Sequence, residues 1–128
     1  MKLKTYFDST KGMGVLSTAD EKGHVNAAVY ARPHVMADGA LAFIMRDRLS
    51  HHNLQSNPRA AFLFREDSAG YKGLRLHLKK IREEHDTELA KELCRRCKIQ
   101  ESDDAVRHIV LFQVEKQLPL VGAGEAEA

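Results

Sequence analysis

The apolar residues of this chain come in short clusters separated by turn signals, a spacing typical of all-β or α+β domains. The segment 41–46, LAFIMR, is continuously apolar but short enough to favour a strand over a helix. Residues 74–81, LRLHLKKI, alternate apolar and polar side chains, as a strand with one buried face does. The pattern predicts about six strands, which suit a small closed or partly open antiparallel barrel.

Two segments carry helix signals instead. Residues 50–57, SHHNLQSN, have Ser50 as a predicted N-cap and the pair Asn57-Pro58 as a stop signal, which predicts a helix of two turns. Asp86–Lys98 is predicted to form a longer helix before the last strand, because its apolar residues recur at helical spacing. Two helices are too few to cover both faces of a parallel βαβ sheet, so that fold class is disfavoured.

Charge and hydropathy exclude some classes of protein. Lys and Arg number 20 against 18 Asp and Glu, so we expect no dedicated nucleic-acid binder. The start of the chain lacks the apolar core of a signal peptide, and no apolar run approaches the roughly 20 residues of a membrane span. We therefore expect a cytoplasmic protein of one domain, residues 1–128, with no membrane partner and with residues 118–128 as a flexible tail.

The cysteines and the paired histidines are weak candidates for chemistry. Cys94 and Cys97 are spaced Cys-x-x-Cys near the C-terminal end of the predicted helix, and no second pair completes a zinc site. We interpret them as two small, semi-buried helix residues. His51 and His52 point about 100° apart on a helix, so they do not easily share one metal ion. We expect one of them to face solvent, the other to touch a bound phosphate, and no metal site.

The most informative stretch runs from residue 40 to residue 58, ALAFIMRDRLSHHNLQSNP, where an apolar strand leads into a basic helix start. Arg46 and Arg48 offer guanidinium groups, and Ser50 offers a hydroxyl beside the first backbone N–H groups of the helix. Proteins bind phosphate with this combination without a glycine-rich loop. A capped surface helix with two solvated arginines explains the same residues, so both interpretations stay open.

The order of these segments resembles one known family. GVLSTAD, VNAAVYARP, ADG, LAFIM, RDRLSHHNLQS and NPRAAFLF follow one another as do the parts of the FMN-binding split-barrel flavoproteins, the superfamily of pyridoxamine phosphate oxidase. The resemblance covers residues 12–83 well and the remainder only by its helix-then-strand order. It implies a mainly β (α+β) fold, a six-stranded antiparallel split β-barrel. A short helix follows the third long strand, and a longer helix precedes the last one.

The resemblance also implies FMN as the cofactor and a set of residues that contact it. Residues 29–32 match the strand end that lies along the isoalloxazine, residues 44–45 lie beside the ribityl chain, and residues 48–50 hold the phosphate. A cation on the flavin N1 side, Arg32 or Arg75, would stabilise the reduced anionic flavin. The implied FMN-binding residues are Val29, Tyr30, Ala31, Arg32, Ile44, Met45, Arg46, Arg48, Leu49, Ser50, Asn53 and Arg75.

Two departures from the family bear on function. Leu49 and Ser50 stand where pyridoxamine phosphate oxidases have an Arg-Lys pair, so the charge on the phosphate would come from Arg48 or Arg46. The chain has no tryptophan and lacks the Trp- and Arg-rich C-terminal segment with which true pyridoxamine phosphate oxidases hold the phosphate of their substrate. This departure argues against pyridoxamine phosphate as the substrate.

The resemblance thus implies an FMN-dependent oxidoreductase that acts on a small substrate or a redox partner. It also implies a homodimer with flavin at the subunit interface. No catalytic residue of the chain itself is predicted, because the cofactor carries the electron chemistry. The alternatives are a flavin carrier or redox sensor without turnover, a haem- or deazaflavin-binding relative with His51 or His52 as a haem ligand, and a nucleic-acid or protein-binding module.

Overall fold

One antiparallel sheet of seven strands forms the body of the protein. The computed structural model describes residues 2–46, 48–85 and 107–122, with the side chains of His85 and Arg107 left out. The elements in chain order are α1 (Leu3–Ser9), β1 (Gly12–Ala19), β2 (Val25–Tyr30), β3 (His34–Val35), β4 (Leu41–Arg46), α2 (Leu49–Ser56), β5 (Arg59–Glu66), β6 (Gly73–His85) and β7 (Arg107–Pro119). The strand order is β2-β1-β5-β6-β7-β4-β3, and every neighbouring pair is antiparallel.

The prediction of a mainly β antiparallel fold is confirmed, but the predicted number of strands was wrong. The additional strand, β3, has only two residues and pairs with β4 across the Asp38-Gly39 turn. Gly39 adopts a φ of 91°, and the Asp38 carboxylate accepts a hydrogen bond from the backbone N–H of Ala40 at 3.0 Å. A strand this short has too few residues to show the alternation by which strands are recognised in a sequence.

Helix α1 was not predicted, because tertiary contacts rather than local signals hold it. Its N-cap, Lys2, makes no side-chain capping bond. Phe7 is 2% exposed and packs into the aromatic core. The Tyr6 hydroxyl donates a hydrogen bond to the Glu66 carboxylate at 2.6 Å, which ties the helix to the end of β5.

Helix α2 has the predicted two turns and ends before Asn57-Pro58 as expected. The predicted N-cap was wrong: Arg48 occupies that position without a side-chain capping bond, and Ser50 is the second residue of the helix. The Ser50 side chain is buried and turned towards β2 instead, where Asn26 lies within 3.5 Å of its oxygen.

The core is built from the inward-facing side chains of the strands. Phe43 lies at its centre, with ring centroids 5.0 Å from Phe62 and 5.6 Å from Phe112. The fully buried large side chains are Phe7, Phe43, Phe62, Phe64, Phe112, Leu16, Leu41, Met45, Leu76, Leu78 and Ile109. A smaller apolar cluster is formed by Ala40, Ala42, Ile109 and Leu111 on β4 and β7.

The barrel has a seam between the two ends of the strand order. Within the described residues, β2 and β3 each have one hydrogen-bonded neighbour, so neither extends the sheet further. Tyr30 of β2 and Phe43 of β4 bridge this gap with an edge-to-face ring contact of 6.1 Å. Helix α2 packs against β1, β2 and β4 and therefore lies over the seam.

Two predicted features fall wholly or partly beyond the described residues. The longer helix at Asp86–Lys98, with Cys94 and Cys97, lies outside them. Strand β7 extends to Pro119, and Leu118 is 8% exposed, so the ordered sheet reaches two residues into the segment predicted as a tail. Neither of the helices that the structure describes has both the length and the apolar character needed to cross a membrane.

Candidate functional site

Three of the predicted cofactor residues come together at the start of α2. The hydroxyl groups of Tyr30 and Ser50 are hydrogen-bonded to each other, and the charge of Arg48 acts on Tyr30. The amide of Asn26 lies 3.5 Å from the Ser50 hydroxyl. We call these four residues the α2 N-terminal site.

The electrostatics of this site favour an anion. Burial raises the pKa of the Tyr30 phenol, and the hydrogen bond to Ser50 and the positive charge of Arg48 partly offset that rise. The phenol therefore stays protonated at neutral pH and can donate a hydrogen bond. The first backbone bond within α2 runs from His52 N–H to the Arg48 carbonyl at 2.9 Å, so the N–H groups that precede it are outside the helical ladder. Hydroxyl, guanidinium and helix N–H groups together are a donor set for phosphate.

A buried hydrogen bond supports the site from behind. The Asn53 amide donates to the Thr18 hydroxyl at 3.1 Å, and both side chains are 3% exposed. This bond fixes α2 on β1, so Asn53 positions the helix from inside the core. Thr18 and Asn26 were missed by the sequence analysis, although they are cross-strand partners. A polar residue at an inward-facing strand position was the signal that could have found them.

Arg32 and Arg75, the two predicted flavin cations, are not part of the α2 N-terminal site. The Arg32 guanidinium donates to two carbonyl oxygens at the C-terminal end of α1, at 2.7 Å and 2.8 Å. Arg75 donates to the carbonyls of Pro119, at 2.9 Å, and Gly122, beyond the end of β7. The structure thus uses both predicted flavin cations to hold chain segments in place and brings neither to the α2 N-terminal site.

The predicted β2 residues present their backbone at an edge of the sheet. Val29 is 70% exposed and points to the face opposite Tyr30, and Ala31 is exposed just after the strand. Because β1 is the one strand neighbour of β2 in the described part of the chain, the other edge of β2 offers N–H and C=O groups to a ligand.

The predicted β4 residues and Leu49 have different environments. The Met45 side chain is fully buried in the core, so only its backbone could face a cofactor. Ile44 packs against the smaller apolar cluster, and Arg46 is half-buried at the end of the strand. Leu49 is 53% exposed and adds an apolar surface at the start of α2.

The outer face of the sheet is apolar along β2, β1 and β5. Val29, Val15 and Leu63 are cross-strand partners in one row, and Met13 and Val25 add 51% and 83% exposed side chains to the same face. A groove of about 550 Å³ crosses this face, and none of the predicted cofactor residues lines it within the described parts of the chain. Its lining consists of Ser17, Thr18, Ala19, Val25, Asn57, Arg59, Ala60, Ala61, His77, Leu78, Glu115 and Lys116.

A second polar cluster, the His51 triad, lies one residue further along α2. It consists of His51, Glu83 of β6 and His108 of β7. The His51 Nε2 and Glu83 Oε2 atoms are 2.7 Å apart, and His108 Nδ1 lies 3.4 Å from the same oxygen. The two imidazole rings are stacked with centroids 3.7 Å apart and planes within 9° of parallel. His52 is exposed, as expected for one of the two adjacent histidines.

The charge of Glu83 is stabilised by its neighbours. Burial alone would raise the pKa of this carboxyl, but hydrogen bonds with His51, Lys80 and Gln55 outweigh burial and lower the pKa to about 2. Lys80 Nζ lies 2.7 Å and Gln55 Nε2 3.2 Å from Oε1. Glu83 is therefore ionised at neutral pH, with Oε1 directed to Lys80 and Gln55 and Oε2 to the two histidines.

Comparison with known proteins finds similarity to solved structures but no similarity in sequence. No protein-family model and no curated protein sequence matches the chain. An FMN-binding protein from Syntrophomonas wolfei superposes with a TM-score of 0.76 at 18% identity, over 94% of this chain and 85% of that one. A candidate pyridoxamine 5′-phosphate oxidase from Lactobacillus delbrueckii has a TM-score of 0.70 at 13% identity, over 92% of both chains. The haem storage protein HutZ from Vibrio cholerae has a TM-score of 0.64 at 17% identity, over 93% of this chain and 95% of that one.

These similarities confirm, at the level of the fold, the resemblance found in the sequence. The protein has the same split-barrel fold as these structures. Known structures with this fold include both an FMN-binding and a haem storage protein, so the fold alone does not select the cofactor.

Proposed function

We propose that the protein is a cytoplasmic FMN-binding oxidoreductase that acts on a small molecule or a redox partner. The observation that carries the proposal is the convergence of Tyr30, Arg48 and Ser50 at the first turn of α2. This donor set fits the terminal phosphate of FMN, because hydroxyl and guanidinium groups meet backbone N–H groups at the positive end of a helix.

The flavin ring would lie along the free edge of β2. Peptide N–H and C=O groups at a strand edge match the alternating donors and acceptors of a pyrimidine ring. Tyr30 lies on this strand and also reaches Ser50, so the ring and the phosphate would be held by one continuous surface. Arg48 would supply the one full positive charge of the α2 N-terminal site, with Leu49 contributing apolar contact beside it.

A second copy of the chain fits the outer face of the sheet. The row Val29–Val15–Leu63 continues a surface that exposes Met13 and Val25, and such contiguous apolar faces mark interaction sites. A homodimer that buries this face would also cover the edge of β2. The cofactor would then lie at the subunit interface.

FMN, when bound, supplies the electron chemistry, and the residues of this chain bind, orient and enclose it. Ser50 and Tyr30 would hold the phosphate with hydrogen bonds. The buried pair Asn53–Thr18 would keep the first turn of α2 in register with β1. No side chain of the α2 N-terminal site is needed as an acid or base for this role.

The test combines cofactor identification with a matched pair of serine variants. Purified protein is titrated with FMN, and separately with riboflavin, by flavin fluorescence. Ser50→Ala removes one hydrogen bond to a charged group, worth about 1.5–3 kcal/mol, so we expect FMN to bind roughly 10- to 100-fold more weakly. Riboflavin binding stays unchanged, because riboflavin carries no phosphate.

Ser56→Ala is the control, because Ser56 lies at the other end of α2 and its hydroxyl is 3.3 Å from the Asn53 carbonyl. Equal effects of the two variants on FMN, or FMN binding no tighter than riboflavin, would refute the phosphate assignment. Turnover with a nicotinamide donor separates an oxidoreductase from a flavin carrier or redox sensor.

Haem is the second candidate cofactor, because the haem storage protein HutZ shares the fold. His52 is the exposed histidine on α2, whereas the His51 ring is held by Glu83 and His108. A Soret band after reconstitution with haemin, lost in His52→Gln, together with failure to retain FMN, would decide for haem.

A further inference from the structure

We propose that the His51 triad binds one divalent transition-metal ion of the zinc class, through His51, Glu83 and His108. This site is separate from the α2 N-terminal site, and the proposal does not depend on FMN. The three ligands come from three different elements, α2, β6 and β7. A bound ion would therefore join the helix over the seam to the two longest strands of the sheet.

The atoms that would bind the metal already converge. One ligand atom from each of the three side chains lies within 4.8 Å of the other two. In a tetrahedral zinc site with bonds of about 2.0–2.2 Å, neighbouring ligand atoms stand roughly 3.4 Å apart. Of the separations from Glu83 Oε2, the 3.4 Å to His108 Nδ1 matches that value and the 2.7 Å to His51 Nε2 is shorter. Small side-chain movements would therefore open the position for an ion.

The surroundings of Glu83 prepare it as a ligand. Lys80 and Gln55 both bond to Oε1, which leaves Oε2 directed to the two imidazoles. Hydrogen bonds that orient a ligating carboxylate are the usual second layer of a metal site. The side chains of His51, Glu83 and His108 are only 9%, 15% and 12% exposed, which keeps competing water from most of the site.

The ligand set indicates the class of ion and the open position. Two imidazoles and one carboxylate are the ligands of many zinc sites that keep a fourth position for water. The same set without a thiolate does not select Cu(I), and the two nitrogens disfavour Ca²⁺ and Mg²⁺, which take oxygen ligands. Because the donor lone pairs of stacked rings lie in separate, nearly parallel planes, one imidazole would have to turn out of the stack before a single cation could contact all three groups.

A direct titration with Co²⁺ tests the proposal. The full chain is treated with a chelator, freed of flavin and titrated with Co²⁺, and the visible absorption of the ion is followed before displacement by Zn²⁺. We expect one ion per chain and release of protons on binding, because histidine must be neutral to ligate. His51→Gln, Glu83→Gln and His108→Gln should each weaken Co²⁺ binding at least about tenfold.

His52→Gln is the matched control, since His52 is the exposed neighbour on the same helix. It should leave the affinity and the spectrum unchanged. Absence of saturable binding, or a His52→Gln variant that loses as much affinity as the triad variants, would overturn the proposal. The triad would then serve only to fasten α2 to the sheet.

A second measurement covers the case in which a triad variant does not fold. Imidazole NMR of the wild-type chain during a Zn²⁺ titration should shift the resonances of two of the seven histidines, in slow exchange at one equivalent. His24→Gln and His52→Gln, both at exposed positions, identify two of the other signals. If only those exposed histidines respond to Zn²⁺, the site does not exist.

Discussion

Replacing Gly73 with alanine tests the geometry of the β5–β6 pairing. Gly73 begins β6 opposite Arg65 and has a φ of 152°, a conformation that side chains rarely adopt. A Cβ atom added there would lie 1.9 Å from the carbonyl oxygen of Phe64 and 3.0 Å from its carbonyl carbon. Both are backbone atoms of a paired strand, so no side-chain rotation can relieve the contact.

The cost follows from how far the strands must separate. Carbon and oxygen atoms in van der Waals contact are about 3.3 Å apart, so the backbones must move by more than 1 Å. A movement of that size lengthens the adjacent N–H···O bonds beyond hydrogen-bonding distance. The loss of one or two such bonds at about 0.5–1.5 kcal/mol each, with backbone strain of about 1–3 kcal/mol, gives a destabilisation of about 1.5–6 kcal/mol.

The assay is urea denaturation followed by far-UV circular dichroism, with Gly70→Ala as the control. Gly70 lies in the same connection with a φ of 85°, but an added Cβ atom would meet nothing within 4 Å. Gly70→Ala should therefore lower the free energy of unfolding only by the backbone strain, about 1–2 kcal/mol. Equal losses in the two variants, or a loss below 1 kcal/mol for Gly73→Ala, would refute the close approach of the strands.

Two further predictions concern pH and assembly. Burial and the hydrogen bond to Glu66 raise the pKa of Tyr6, so the stabilisation by its protonated phenol is present below the ordinary pKa of 10 and is lost as pH rises above that value. The urea midpoint should therefore fall more steeply above pH 10 in the wild type than in Tyr6→Phe. Parallel pH profiles of the two proteins would contradict this prediction. Val29→Lys adds a charge to a 70% exposed position on the outer face of the sheet. In analytical ultracentrifugation it should shift the protein from dimer to monomer, and it should leave the circular dichroism spectrum unchanged. A wild-type protein that is monomeric at micromolar concentration would refute the dimer.

The fold was predictable from the sequence where local signals decide it. The apolar run at Leu41–Arg46 became β4, and the stop signal at Asn57-Pro58 ended α2. Helix α1 escaped prediction because its stability comes from Phe7 in the aromatic core and from Arg32, neither of which marks a helix locally. Strand β3 escaped because two residues carry no periodicity.

The candidate site was predictable only in part, for a related reason. Arg48 and Ser50 were found because they lie at the junction of a strand and a helix in the sequence. The partners of His51 could not be found in this way, since Glu83 is 32 residues away and His108 lies further along the chain. The role of Arg32 and Arg75 as flavin cations stays a prediction, and their hydrogen bonds to backbone carbonyls could not be foreseen because they depend on tertiary folding.

The position of α2 over the seam has a consequence for the dynamics of the barrel. Among the described residues no hydrogen bonds close the sheet between its edge strands β2 and β3, and α2 and the Tyr30–Phe43 contact hold the two sides of the seam together. A ligand that binds to α2 should therefore also stabilise the seam and make local opening of the barrel there less frequent. Amide protons at the ends of β2 and β4 would report that opening by hydrogen exchange, residue by residue, before any ligand is identified.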